Sequence, residues 1–276
     1  MVRSYFHLHL VSDSTGETLI NVGRAAAAQY EGVSAIEHVY PLVRSGTQLE
    51  RVINEIEQAP GIVLYTLVGR DLTERLEEAC RATGSPVLSV LEPVHRMLQG
   101  YLGTHSTARP GAQHMLNAEY FKRIDAMNFT LAHDDGNLPL DLNEADVILL
   151  GVSRTSKTPT AIYLANRGLK TTNIPLIPGV PPPAVLETLR QPLIVGLIAS
   201  PERIVQIRQN RLLSLKADDS SSYVDRDAVA NEIATSRRLF ARNRWPVIDV
   251  TRRSIEETAA AIVDLHREHR LKFIAD

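Results

Sequence analysis

Gly151-Val152-Ser153-Arg154-Thr155-Ser156-Lys157-Thr158 is the stretch whose residue types and spacing best suit chemistry on phosphate. A glycine, a small-residue loop and a Lys-Thr pair follow the G-x-x-x-x-G-K-[ST] pattern, with Ser156 where the second glycine would stand. Backbone N–H groups at such a loop and at the following helix start carry partial positive charge and converge on one spot. A polyphosphate fits there. Lys157 adds a full charge against the terminal phosphates, and the Thr158 hydroxyl is placed to ligate a Mg²⁺ that bridges two of them. Pro159 lies early in the helix, where its missing N–H costs nothing. Ser156 replaces the glycine only if its backbone keeps a negative φ or accepts strain. The plainer reading is a Ser/Thr-rich loop that caps a helix and binds nothing.

Other stretches have candidate chemistry. Ser12-Asp13-Ser14-Thr15-Gly16-Glu17-Thr18 follows an apolar run and opens a helical one, a position where open parallel sheets bind ligands. It could hold a phosphate; equally, Ser14 and Glu17 could form a helix cap. His133-Asp134-Asp135-Gly136 places two carboxylates together, able to hold Mg²⁺ or take a proton from a hydroxyl, or simply to make a solvated turn. Asp249 ends a late apolar run next to Thr251, and Arg252 and Arg253 follow. Arg203, Arg208 and Arg211 share a helical segment, a basic face open to solvent or aimed at a phosphate. Ser254 and Glu257 have capping-box spacing.

These stretches need elements to position them, and the chain supplies an alternation of apolar runs and helical periodicities. Strands are expected at Tyr5–Val11, Ser34–Val43, Ile62–Val68 and Val87–Leu91, with helices at Glu17–Gln29, Thr47–Gln58, Leu72–Ala82 and Val94–Gly100. A second series has strands at Val147–Leu150, Asn173–Leu176, Leu193–Leu197 and Val247–Val250. Its helices are Thr160–Asn166, Pro183–Arg190, Pro201–Leu213, Arg226–Arg242 and Ser254–Glu268. The alternation predicts an α/β fold with mostly parallel sheets, the strands being apolar throughout as if buried on both faces. Residues 103–116 break the pattern, and a helix over 117–126 connects the halves. The expected division is 1–105, an α/β domain; 106–140, a connecting segment; and 141–276, an α/β domain with the phosphate-loop-like site. No internal repeat is visible.

The chain has 276 residues, 44% hydrophobic and 22% charged, ordinary globular values. A formal net charge of −2 gives no electrostatic case for nucleic acid or an anionic membrane. Cys80 is the sole cysteine, so no internal disulfide or zinc-ligand spacing exists, and a buried position is expected for it. No signal peptide or membrane-spanning apolar run is evident, so a cytoplasmic protein is expected.

Taken in order, Leu10 to Thr18, His133 to Gly136, Gly151 to Pro159, Arg208 to Leu212 and Ile248 to Thr258 resemble the regulatory proteins of pyruvate, phosphate dikinase and phosphoenolpyruvate synthase. These are bifunctional serine/threonine kinase/phosphorylases. The resemblance spans nearly the whole chain, and Ser156 is part of that family's pattern. It implies a kinase that uses ADP to phosphorylate a threonine near the catalytic histidine of its target, inactivating it. It also implies the reverse by phosphorolysis, with inorganic phosphate as substrate and pyrophosphate as product. The Leu10–Thr18 wording is closer to the dikinase regulators, so pyruvate, phosphate dikinase is the expected partner and the synthase the alternative. A homodimer is expected as well. Under this reading, residues Gly151 to Thr158 hold ADP, Thr158 holds Mg²⁺, and Arg154 reaches the transferred group. Lys157 is catalytic, and Asp13, Asp134, Asp135 and Asp249 are candidate proton acceptors. Readings of another class are a nucleotide-sensing binding protein without catalysis, and a small-molecule kinase.

Overall fold

The computed structural model describes residues 4–107, 109–112, 118–134, 142–215 and 223–275. The chain forms two compact units, Met1–Met115 and Leu116–Asp276.

In the first unit β1 (Ser4–Val11), α1 (Glu17–Ala27), β2 (Val33–Tyr40), α2 (Gly46–Gln58), β3 (Ile62–Tyr65), α3 (Arg70–Thr83), β4 (Val87–Ser89) and α4 (Glu92–Leu102) follow in order. The sheet order is β2-β1-β3-β4, every pair parallel, as helical crossovers require. Central β1 buries Leu8, Leu10 and Val11. At Gly61 a Cβ would lie 2.2 Å from the His7 carbonyl oxygen, so β3 can approach β1 only through a glycine. Helix α2 starts with a capping box: Ser45 Oγ accepts from Gln48 N–H, and the Gln48 side chain accepts from Ser45 N–H. Its Leu49, Val52, Ile53 and Ile56 share one buried face. Strand β2 departs from the sequence expectation. It stops at Tyr40 and forms a sheet edge, leaving Val33, Ile36 and Val39 exposed rather than buried on both faces.

The second unit has α5 (Ala118–Ala132), β5 (Val147–Gly151), α6 (Lys157–Asn166), β6 (Thr171–Pro175), β7 (Leu193–Ile198), α7 (Pro201–Leu215), α8 (Arg226–Asn243), β8 (Val247–Asp249) and α9 (Ile255–Ala275). Its sheet is also parallel, in the order β6-β5-β7-β8. Strand β5 is buried along its whole length and divides its side chains by alternation. Ile148 and Leu150 pack with Phe129 of α5, Ile174, Ile194 and Phe240. Val147 and Leu149 face the opposite way, among Ala161, Leu164, Leu197 and Ile262. Helix α5 belongs to this unit, so residues 106–140 are shared between the two units. The helix expected over Pro183–Arg190 is only a 3₁₀ turn, Ala184–Glu187. Pro181, Pro182 and Pro183 lack N–H donors and Pro192 disfavours helical backbone before it, which leaves no room for an α-helix. Helix α9 carries the expected cap: Ser254 Oγ accepts from Glu257 N–H at 3.1 Å, and Glu257 Oε2 accepts from Ser254 N–H at 2.8 Å.

The two sheets share one strand order. In each, the first strand is central, the second flanks it on one side, and the third and fourth lie on the other. β1 and β5 are therefore equivalent positions, and each runs into a short loop and then a helix. No helix among the described residues is long and apolar enough to cross a membrane.

Candidate functional site

The loop from Gly151 to Thr158 leaves the carboxyl end of β5, between β6 and β7. A Cβ on Gly151 would lie 2.5 Å from the Leu197 carbonyl oxygen on β7 and 2.7 Å from Thr155 Oγ1. The loop thus folds back against its own strand at a point only glycine can occupy. Two groups converge on the Val152 carbonyl: buried Thr155 Oγ1 donates to it at 2.9 Å, and buried Lys157 Nζ at 3.0 Å. Arg154 and Ser156 both take left-handed backbone, φ 74° and 58°. Ser156 therefore replaces glycine by accepting strain, at about 1–2 kcal/mol for such a conformation. Alternating hand at 154, 155 and 156 makes the concave N–H turn that suits anions. Ser156 makes no side-chain cap bond, and Pro159, which has no N–H to satisfy, lies in the first turn of α6. Helix α6 starts at Lys157, three residues before the sequence expectation, so Lys157 and Thr158 sit on its first turn.

Arg208 corrects the sequence reading of a basic face. Arg203 and Arg211 are exposed, but Arg208 is only 1% exposed. Its guanidinium donates to Glu232 Oε1 at 3.1 Å and Oε2 at 2.7 Å, to the Tyr223 carbonyl at 2.9 Å and to the Ser153 carbonyl at 3.4 Å. It also stacks 4.5 Å from the centre of the Tyr223 ring. A buried charge must be paired, and the helical spacing of arginines gave no sign of Glu232 on another helix. Arg208 accordingly braces the loop at Ser153. The Tyr223 hydroxyl lies 3.4 Å from both Ser153 Oγ and Arg154 Nε. Burial pushes its pKa up, yet the bonds from Ser153 and Arg154 and the charges of Arg154 and Arg208 bring it below the ordinary value.

Asp134, just after α5, meets the loop. Thr158 Oγ1 donates to Asp134 Oδ1 at 3.2 Å. Asn173 on β6, 1% exposed, donates its amide to the same oxygen and lies 3.3 Å from Thr158 Oγ1. The side-chain oxygen Oδ1 of Asn173 is buried without a hydrogen-bond partner among the described residues. Asn173 was not singled out in the sequence; it lies within a polar run, Thr171-Thr172-Asn173, that is unusual for a strand buried on both faces. That run is the signal that could have found it. Hard oxygens on Thr158 and Asp134 are the donor set that Mg²⁺ accepts. His133 plays a structural part: its Nδ1 donates to the Phe129 carbonyl at 2.6 Å and its ring stacks on Phe129.

The remaining candidates are placed elsewhere. Asp135 lies outside the described residues. Asp249, at the end of β8, is separated from β5 by β7, and accepts from the Thr251 N–H at 2.9 Å and from its hydroxyl. Burial pushes its carboxyl up, but the two Thr251 bonds and the charges of Arg237 and Arg253 hold it below the usual carboxylate range. Arg252 and Arg253 are exposed. Asp13 belongs to the first unit, where Val68 N–H donates to its Oδ2 at 2.9 Å and Arg44 Nε to its backbone carbonyl at 2.8 Å. Burial pushes the Asp13 carboxyl up, against the pull of those partners. Residues 12–18 line a cleft of about 230 Å³ with Thr66, His95 and Arg109. Of the two readings of this stretch, the helix cap by Ser14 is not formed: α1 starts from Gly16, at φ 83°, without a side-chain cap. Cys80 is fully buried, and burial pushes its thiol up to about 11, so it is no nucleophile.

A parallel sheet with a tight loop at the end of its central strand, closed by Lys-Thr on a helix start, is the construction used by α/β proteins that handle phosphate groups. Residues 8–263 match the family described as Kinase/pyrophosphorylase, and the chain belongs to it. It is 62% identical over 269 residues to a Bradyrhizobium diazoefficiens protein provisionally named pyruvate, phosphate dikinase regulatory protein, covering 97% of this chain and 96% of the relative. A protein of Afipia carboxidovorans with the same provisional name is 58% identical over 274 residues, covering 97% of each. One of Rhodopseudomonas palustris is 62% identical over 263 residues, covering 95% of this chain and 94% of the relative.

Proposed function

We propose that the chain is an ADP-dependent serine/threonine kinase and phosphate-dependent phosphorylase acting on pyruvate, phosphate dikinase. The observation that carries this reading is the Asp134–Thr158–Asn173 cluster beside the Lys157 loop. It sets a carboxylate and a hydroxyl together at the start of α6, where phosphates would lie. The names of the relatives support the dikinase as target over the synthase.

In the forward direction the threonine hydroxyl of the target attacks the β-phosphorus of ADP. The bond from that phosphorus to the bridging oxygen breaks, AMP leaves, and the hydroxyl proton passes to a carboxylate, for which Asp134 is our assignment. In the reverse direction an oxygen of inorganic phosphate attacks the phosphorus of the phosphothreonine, the bond from that phosphorus to the threonine oxygen breaks, the threonine oxygen takes back a proton from the same carboxyl group, and pyrophosphate leaves. Charge neutralisation and in-line placement dominate both. Lys157 exchanges the Val152 carbonyl for a phosphate oxygen. Residues Gly151 to Ser156 supply backbone N–H groups, and Arg154, exposed on the loop, reaches the transferred group. Thr158 would hold Mg²⁺, which would supply positive charge against the phosphate oxygens. A cytoplasmic setting accords with ADP as substrate.

Incubation with purified dikinase and ADP, followed by mapping of phosphothreonine by mass spectrometry, tests the reading. An unmodified dikinase with intact nucleotide binding would point instead to a non-catalytic sensor. The second partner proposed is another copy of the chain. Helix α4 buries none of its residues and exposes Val94, Met97, Leu98, Tyr101 and Leu102, apolar area that a symmetric dimer would cover. Light scattering should give twice the monomer mass at micromolar concentration; a monomer mass would refute the dimer.

A further inference from the structure

Beside the loop lies a cleft of about 660 Å³. One wall is the segment after β6, including Leu176, Ile177, Val180 and Pro181; the other is α8, with Thr235 and Leu239. Ile177 and Val180 are 55% and 57% exposed, large apolar side chains left to solvent at a rim.

The cleft and the loop are one construction. Val152, the second residue of the loop, is itself part of the cleft wall. Leu176 N–H donates to the Gly151 carbonyl at 3.0 Å. Glu232, also in the cleft wall, grips Arg208, which in turn bonds the Ser153 carbonyl. Three successive loop residues are thus tied to the cleft, so phosphates in the loop would lie next to it.

We propose that this cleft takes the base and sugar of the nucleoside diphosphate whose phosphates occupy the loop. The inference rests on the phosphate-loop reading given under the proposed function. The size fits, since pockets for molecules of this class run to roughly 300–1,000 Å³. The lining fits a planar apolar ring, and the proline-rich segment holds its side of the slot in place at little entropic cost. Asn231, on α8 at the cleft, carries an amide that offers a donor and an acceptor side by side, the pairing that the N6/N7 edge of adenine accepts.

The test is calorimetric titration of the full chain with ADP and, separately, with pyrophosphate, which has the phosphates and no base. Thr235→Trp fills the cleft from an exposed helix position. It should weaken ADP by roughly tenfold or more, on the scale of a lost apolar contact, and leave pyrophosphate within about twofold. Asn231→Ala should narrow the preference for ADP over a diphosphate with another base. Unchanged ADP affinity in both variants, with the KM for the dikinase raised instead, would overturn the proposal and give the cleft to the target protein. Parallel loss of ADP and pyrophosphate would also overturn it, because the cleft would then act only through the loop. If the unaltered chain binds neither molecule, the phosphate-loop reading fails first and takes the inference with it.

Discussion

Gly151→Ala should damage the site more than its one added carbon implies. The new Cβ would sit 2.5 Å from the Leu197 carbonyl oxygen and 2.7 Å from Thr155 Oγ1. Real contacts of this kind are not shorter than 3 Å, so something must move by at least about half an ångström. The Leu197 carbonyl cannot turn aside, because it belongs to β7, which pairs with β5 on one side and β8 on the other. Thr155 is fully buried and bonded to Val152, so it cannot leave without opening the loop. Overpacking of this kind costs roughly 1–3 kcal/mol. The loop is displaced relative to Thr158 and Asp134, and a misplacement near 1 Å costs on the order of 10²-fold in rate. Urea denaturation gives the stability, and ADP titration on the folded fraction gives the loop. Gly196→Ala is the matched control. Its Cβ would meet the Phe240 ring at 2.5 Å, away from the loop, so stability should fall while ADP affinity per folded molecule is retained. A Gly151→Ala protein as stable as the parent, or one that binds ADP normally, would refute the packing argument.

Two further outcomes follow from strain and from burial. Ser156→Gly should raise stability by roughly 0.5–1 kcal/mol, the left-handed cost relieved less the extra freedom of an unfolded glycine, as read by denaturant midpoint; a fall would mean that the Ser156 side chain supports the loop. His9 should make the first unit acid-sensitive. Its Nε2 lies 2.8 Å from the Ala59 carbonyl and its Nδ1 3.0 Å from the Tyr40 hydroxyl, so the neutral ring donates to Ala59 and accepts from Tyr40. Burial lowers its pKa, with His38 and His7 adding to the effect and the Ala59 bond and Glu55 opposing it. Its folded pKa is depressed, so the stability it contributes is full above the ordinary histidine value and is lost as pH falls through the folded pKa. Denaturation at pH 7.5 and pH 5 should show this loss, and His9→Gln should reduce it.

Much of the fold was legible because local and tertiary requirements agree. The continuous apolar run Val147 to Leu150 describes a strand with two faces to cover, the helical stripe Leu49, Val52, Ile53 and Ile56 describes one, and all are covered. Failures arose where a distant partner decides. Arg208 looks like surface charge until Glu232 is brought to it from another helix. Ile36 and Val39 read as core, yet β2 ends up with one neighbour instead of two. The shared strand order of the two sheets left no trace as a repeat, since topology needs only the pattern of apolar and polar residues, not their identities. At the candidate site the loop was legible because its residues are consecutive. Asn173 was not, because it joins Asp134 and Thr158 only through the register of β6 beside β5.

The central claim is transfer of the β-phosphoryl group of ADP through the Lys157 loop. The most direct test supplies purified dikinase and Mg²⁺ with ADP carrying ³²P at either the α or the β position. The account predicts label on a dikinase threonine from the β position alone, AMP as the other product, and a loss on the order of 10²-fold or more with Lys157→Ala. Label from the α position, transfer only from ATP, or a Lys157→Ala protein with near-normal transfer would contradict it.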